Sequence, residues 1–429
     1  MLALFVAIAA ISASQADLPK ENRRPQSVEA GPVVVAQPEN CPAYADGAAP
    51  PAGVTGEEIA GGTATSKPES SPEADSERQW VRVGPGQDIQ PIVDASPPGS
   101  AFLLEAGLHL GQSIRPRDGD AFVGESGTVL SGESRVQHAF LGSAHDVTIC
   151  GLVIEDYATP AQMGTINGDG DSWLIVGNEI RNNTGAGITL NDRYRVIGNA
   201  IHHNHQIGLK GAGEDILIQN NEISFNNSGD EYDMSWEAGG AKFLRTTDLV
   251  VRGNFVHDNH GHGLWTDTNN LRSLYEDNFV IGNYGAGIFH EISYDAIIRA
   301  NRIEENAFEH ALGGIRVVSS RNVEVTENQL VGNNGGVYVA QSDRGEGLYG
   351  PFVVENLWVH DNRISFTEGW SGLRASDALG IAVYSTMNNR FDGNIYHLEP
   401  AGTPFVWMNR ELDVDEWRLS GLDASGTFR

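Results

Sequence analysis

The chain has 429 residues, with 28 Lys and Arg set against 57 Asp and Glu, a formal charge of −29. A surface this acidic repels phosphate backbones, which excludes generic binding to nucleic acid or anionic membranes. Hydrophobic residues make up 40% and glycine fills 51 positions, so a soluble, turn-rich β fold with a real core is expected rather than a helical bundle.

The chain begins with an apolar run, Leu2 to Ile11, too short to span a bilayer, followed by the small-residue site Ser14-Gln15-Ala16. Residues 1–16 read as a signal peptide, although no Lys or Arg precedes Lys20. A secreted or periplasmic protein without a transmembrane segment is expected. Residues 17–79, rich in Pro, Ala, Glu and Ser without hydrophobic periodicity, read as a disordered linker. The two cysteines, Cys41 and Cys150, cannot form a disulfide framework or a four-ligand zinc site, and a bond between them is left open. The folded domain spans 80–429. It opens with an alternating strand at Val81-Arg82-Val83, a short capping helix over Asp88 to Ala95 and a strand at Ala101 to Leu104.

A repeat follows. The motif N-x-[IVFL]-x-x-N occurs as Asn178/Asn183, Asn199/Asn204, Asn221/Asn226, Asn254/Asn259, Asn278/Asn283, Asn301/Asn306 and Asn328/Asn333. A degraded copy pairs Asn362 with Thr367. The underlying period of 21–24 residues, interrupted by insertions, marks a stacked architecture. Each unit holds short alternating segments and no apolar run long enough for a helix. The expected fold is all-β, a single-stranded right-handed parallel β-helix (solenoid), one coil per repeat. Asparagine tolerates the left-handed conformation at sharp turns, and its amide can bond the asparagine of the next coil.

The opening Pro85-Gly86-Gln87-Asp88-Ile89-Gln90 and the later Pro98-Gly99-Ser100-Ala101-Phe102-Leu103-Leu104-Glu105-Ala106-Gly107 resemble the start of pectin-lyase-like right-handed β-helix proteins. The coils from about Val147 to Asn394 are similar to that superfamily's generic repeat. The resemblance implies polyuronate lyases, polygalacturonases, uronan C5-epimerases or tailspikes as relatives in fold, without selecting one activity.

Stacked coils turn the repeat into columns. After each second asparagine a strand begins at Gly187, Gly208, Gly240, Gly263, Gly287, Gly314 and Gly336. The next position is apolar in every coil and should face inward. The position after that should face solvent, and it reads Thr189, Lys210, Lys242, Trp265, Phe289, Arg316 and Tyr338. The chain has four lysines, and the two in the folded domain are neighbours here. They are expected to form a cationic strip able to hold an anion or provide a base. Trp265, Phe289 and Tyr338 offer flat faces for sugar rings.

Two positions on, Asp267 and Glu291 stack as candidate substrate-binding carboxylates or a hydrolase pair. His290 falls on an inward position, and His262 is an acid/base candidate beside the Trp265 strand. His202, His203 and His205 lie two coils from His257, His260 and His262, about 10 Å away, too far to share one zinc or copper ion. The insertion Asn227 to Gly239 carries Asp230, Glu231, Asp233, Trp236 and Glu237. It could wall a groove and offers oxygen ligands for Ca²⁺, without the EF-hand order. Ala307 to Gly313 is a second insertion on the same side. Gly345-Glu346-Gly347-Leu348-Tyr349-Gly350 matches G-x-G-x-x-G but runs into Pro351 with no helix to receive a pyrophosphate. Asn226-Asn227-Ser228 is a formal glycosylation sequon.

The favoured function is a polysaccharide lyase or C5-epimerase on uronate-containing glycans, acting as a monomer. Lys242, Lys210, His262 and Arg316 supply the charge neutralisation and proton transfer. A glycoside hydrolase using Asp267 and Glu291, and a non-catalytic glycan-binding or envelope β-helix, remain as alternatives.

Overall fold

The computed structural model describes Cys41 and residues 80–308, 312–398 and 402–429. The expected signal peptide, and the expected linker apart from Cys41, lie outside the described residues. Cys41 is buried and disulfide-bonded to Cys150, with Cα atoms 6.0 Å apart. The bond holds Cys41 against the solenoid beside Leu103 and Val123.

The chain winds a parallel β-solenoid of about 11 turns. Each coil lays down three short strands, so the solenoid has three faces. The first carries Ala186–Leu190, Ile207–Glu214, Gly239–Arg252, His262–Asp267, Ile288–Glu291, Ile315–Val318 and Val337–Gln341, each paired in parallel with the next. The second includes Leu271–Glu276, Tyr294–Arg299, Arg321–Thr326 and Trp358–His360. The third includes Glu222–Ser224, Phe255–His257, Phe279–Ile281 and Arg302–Glu304. Alternation puts Ile188, Leu209, Ala241, Leu264, Ile288, Ile315 and Val337 inside the coil, where all are buried. The expected register therefore holds along the whole first face.

Two internal asparagine ladders edge the third face. One runs from Asn178 to Asn394 and the other from Asn183 to Asn333. In each rung the side-chain NH₂ donates to the amide oxygen of the next coil, as Asn254 does to Asn278 at 2.9 Å. That same oxygen accepts the Asn254 backbone N–H at 3.0 Å. The left-handed residue at each corner is the one before the asparagine, not the asparagine itself. Gly253, Asp277, Ala300 and Glu327 all have φ between 54° and 64°. The turn thus happens one residue early, and the asparagine is left extended enough to reach both neighbouring coils.

The helix Ile89–Ala95 covers one end of the core with Ile89 and Val93. The other end is closed by a helix the repeat pattern did not predict, Val414–Leu419, with an Asp413/Glu416 capping box. Its Trp417 is fully buried and stacks on Phe405 at 4.6 Å. Asp423 terminates the first ladder. Its Oδ1 accepts from the Asn394 backbone and side chain at 3.0 and 2.8 Å. Its Oδ2 accepts from Trp417 Nε1 at 2.9 Å and the Tyr396 hydroxyl at 3.0 Å. Asp423→Leu would leave several buried donors unpaired and is expected to cost about 3 kcal/mol or more, read as a lower urea midpoint. An unchanged midpoint would show that the end of the ladder is not needed.

Candidate functional site

The first face stacks Thr189, Lys210, Lys242, Trp265, Phe289, Arg316 and Tyr338 in register, one per coil. Their surroundings differ from the expected solvent-facing strip. Trp265 and Phe289 are each only 4% exposed. The two rings stack on one another at 5.2 Å, Lys242 Nζ sits 3.6 Å over the indole, and the Arg316 guanidinium lies 4.6 Å over Phe289. A cation closes each end of a two-ring stack, an arrangement favoured by the ring quadrupoles. Leu312, from the second insertion, and Ala286 pack against the rings. The aromatic faces are therefore spent on cations and on each other, and sugar stacking on Trp265 or Phe289 is not available. Tyr338 is half-buried at the end of the column.

The cations are also matched by carboxylates. Lys242 Nζ is 2.9 Å from Asp267 and donates to the Trp236 carbonyl at 2.6 Å. Lys210 pairs with Glu237 and donates to Gln162 Oε1 at 2.6 Å. Glu291 is held by Arg344 at 2.6 Å. Asp267 and Glu291 are direct neighbours on adjacent coils, yet each has a cation of its own. Arg316 is the exception. Its Nε is buried without a hydrogen-bond partner among the described residues, as is Trp265 Nε1. Burial acts to lower the Arg316 pKa, and the nearby charge of Glu291 opposes it. Four cations (Lys210, Lys242, Arg316, Arg344) thus face three carboxylates (Glu237, Asp267, Glu291) on a strongly acidic chain.

His262 flanks the stack, with its ring 4.9 Å from both Trp265 and Phe289. Its Nδ1 accepts the Ala286 backbone N–H at 3.0 Å, so the neutral ring carries its proton on Nε2. Burial, with the charges of Arg316 and then Lys242, pushes its pKa down to about 3. His290 lies on the other side of the sheet, inside the coil, bonded through Nδ1 to Thr266 at 2.7 Å. Burial lowers its pKa to about 3 as well, and it cannot touch a ligand on the outer face.

Both imidazoles stay neutral in the fold but take up a proton in the unfolded chain below its ordinary pKa near 6.5. Their contribution to stability is complete above about pH 6.5 and is lost as pH falls towards about 3. His257 works in the opposite sense. Burial acts to lower its pKa, but the hydrogen bonds to Asp258 and Glu222 outweigh it and hold it raised. Its contribution is present below pH 6.5 and fades as pH rises through the raised value. Burial lowers His203 as well, so with three lowered against one raised, Tm is expected to fall on acidification from pH 7 to 4, and the fall should shrink in His262→Phe. An identical acid response in that variant would contradict the assignment.

Insertions wall the face. The Asn227 to Gly239 insertion forms the short helix Met234–Glu237, which brings Glu237 and the Trp236 carbonyl over the lysines. Its other acids are directed elsewhere: Asp230 to His260, Glu231 to His205, and Asp233 to the helix start through Ser235. Among the described residues no three His, Cys, Asp or Glu side chains converge to hold a metal ion. The G-x-G-x-x-G segment is an antiparallel hairpin, Glu346–Gly347 with Gly350–Pro351, that folds back over earlier coils. Leu348 donates its backbone N–H to Asn269, and the preceding Arg344 reaches Glu291. Arg344, Gln162 and the pairing role of Glu237 were invisible in the repeat pattern. The only sequence hint was that the non-repeating segments are themselves rich in charge.

A family model for the right-handed β-helix region matches residues 164–356. The match and the coil geometry agree on the fold, a right-handed parallel β-helix. Among solved structures, this β-helix is similar to the A-module of a mannuronan C-5 epimerase from Azotobacter vinelandii. That match has a TM-score of 0.54 and 15% identity, covering 80% of this chain and 94% of that one. It is also similar to the catalytic unit of a GH87 α-1,3-glucanase from Streptomyces thermodiastaticus. There the TM-score is 0.53 at 13% identity, covering 84% of this chain and 70% of that one. At such identities the likeness is one of fold. By sequence, no curated protein matches the β-helix. Among its described residues no helix is long and apolar enough to cross a membrane.

Proposed function

We propose that this β-helix is a secreted carbohydrate-active protein, a polysaccharide lyase or C5-epimerase acting on uronate-containing glycans. The observation that carries the reading is the buried Lys242 ammonium, set between Asp267 and the Trp265 ring, with the unmatched Arg316 at the far end of the same stack. The similarity in fold to a mannuronan C-5 epimerase supports the same direction.

Both reactions begin by removing the proton at C5, which becomes acidic once the neighbouring C6 carboxylate is neutralised. Arg316, the cation without a carboxylate of its own, neutralises the incoming group, and Lys210 extends the positive field. Lys242 takes the C5 proton after passing its own to Asp267, its partner at 2.9 Å. The lone pair of His262 Nδ1 is occupied by the Ala286 N–H, so His262 serves as a donor through Nε2 rather than as the base. Elimination then expels the glycosidic oxygen, whereas epimerisation returns a proton from the opposite face of the ring.

The test is to incubate the purified protein with polyuronates and neutral glycans, with and without EDTA. Ultraviolet absorbance from unsaturated chain ends, or an altered epimer ratio by NMR, is the expected result on polyuronates alone. New reducing ends without absorbance would establish hydrolysis instead.

A further inference from the structure

A second surface lies on the next face of the solenoid, away from the Lys242 stack. A cavity of about 400 Å³ runs across the strands Leu271–Glu276, Tyr294–Arg299, Arg321–Thr326 and Trp358–His360. Its floor is apolar, with Leu274 and Ile297 in register on successive coils and facing outward. Along one edge the corner residues form an exposed amide row. Asn322 Nδ2 donates to Asp295 at 2.6 Å, Asn356 to Asn322 at 3.0 Å and Asn388 to Asn356 at 3.2 Å. Each NH₂ spends one hydrogen on the previous coil and keeps the other for a ligand. At the far end Trp358 is fixed between His360, stacked at 3.6 Å, and Arg390, 4.4 Å over the ring.

We propose that this groove is a non-catalytic binding site for a neutral oligosaccharide lying along the solenoid axis. Three features argue for that occupant. The amide row repeats once per coil, about 4.8 Å, close to the length of one pyranose unit. An apolar floor beside planar amides matches a sugar ring, which offers C–H groups on its face and hydroxyls at its edge. The charges balance and are already engaged: Arg272 is bidentate to Asp248 at 2.6 and 2.8 Å, and Glu324 is held by His360 at 2.9 Å. Arg390, the lining cation without a carboxylate partner among the described residues, is turned onto the Trp358 ring and donates to Asn388 Oδ1 at 3.3 Å. The lining holds no lysine, histidine or cysteine, and its carboxylates are bonded within the fold, so no acid or base is free for chemistry.

The exposed hairpin tip stands over the start of the same strands, with the Tyr349 carbonyl bonded by Arg321. Tyr349, 40% exposed, stands against Tyr294 at 5.3 Å. The groove would hold a glycan chain near the first face without taking part in the reaction there.

The test is calorimetric titration with gluco-, manno- and xylo-hexaoses and with a hexauronate. The variants are Ile297→Arg, which fills the floor, and the double variant Asn322→Gly/Asn356→Gly. Glycine keeps the left-handed backbone these asparagines adopt, so the amides are removed without strain. At least one neutral hexaose is expected to bind, at least tenfold more weakly to both variants with Tm unchanged, and equally well to Lys242→Ala. Absence of neutral-hexaose binding, or binding untouched by both variants, would overturn the proposal. So would binding lost only in Lys242→Ala, which would place the sugar on the first face.

Discussion

Asn278→Ala is expected to lower stability by roughly 3–5 kcal/mol, as the sum of two or more buried groups left without partners. Asn278 Oδ1 accepts from the Asn254 backbone and side chain at 3.0 and 2.9 Å. Its Nδ2 donates to Asn301 Oδ1 and to the Val251 carbonyl, both at 2.9 Å. The rung is buried, with Asn254, Asn278 and Asn301 each 1% exposed. Asn278→Asp keeps the oxygen that accepts both Asn254 donors but sets a carboxylate oxygen against Asn301 Oδ1, so it should be no milder. Asp423 is tolerated at the end of the same ladder because its second oxygen faces no amide oxygen and accepts from Trp417 and Tyr396 instead. Urea unfolding of the two variants checks this. A loss below about 1 kcal/mol would mean that the ladder relaxes or hydrates when broken.

The second large effect falls on catalysis. Lys242→Ala is expected to reduce turnover roughly 100- to 10,000-fold, the usual range for a positioned proton-transfer group. It also strips Asp267 of its cation, so the informative variant is Lys242→Arg. Arginine preserves the charge, the carboxylate partner and a cation over the Trp265 ring, but cannot give up its proton near neutral pH. If Lys242 takes the C5 proton, Lys242→Arg is as inactive as Lys242→Ala while folding normally. Substantial activity in Lys242→Arg would make Lys242 a charge-neutralising group and move the base elsewhere, with Asp267 the next candidate. If the Arg316 guanidinium binds the uronate carboxylate in ground and transition states alike, Arg316→Ala should raise KM more than it lowers kcat.

The coil and its register were legible because the asparagine rungs recur at the same place in every unit, and the period of two in each strand then fixes which side chains share a column. The pairing of Lys242 with Trp265, and of Phe289 with Arg316, follows directly from that column. Their burial was not legible, because alternation gives the direction of a side chain and not what covers it. The cover comes from segments outside the repeat. Arg344 meets Glu291 53 residues away through a hairpin whose path no periodicity describes. The terminal helix Val414–Leu419 escaped for the same reason, although Asp413 and Glu416 stand at capping-box spacing. The left-handed corners were misplaced by one residue. Asparagine's tolerance of that conformation suggested it as the turn, whereas its amide is needed in the ladder and the preceding residue turns instead.

Hydrogen exchange at C5 probes the central claim ahead of any particular product. Polyuronate incubated with the protein in D₂O is followed by NMR for deuterium at C5 of the recovered polymer and for loss of the C5 proton in any unsaturated ends. Abstraction at the Lys242 stack predicts C5 label or elimination with the wild type and neither with Lys242→Arg. Wild-type protein that binds polyuronate yet never disturbs the C5 hydrogen would contradict it.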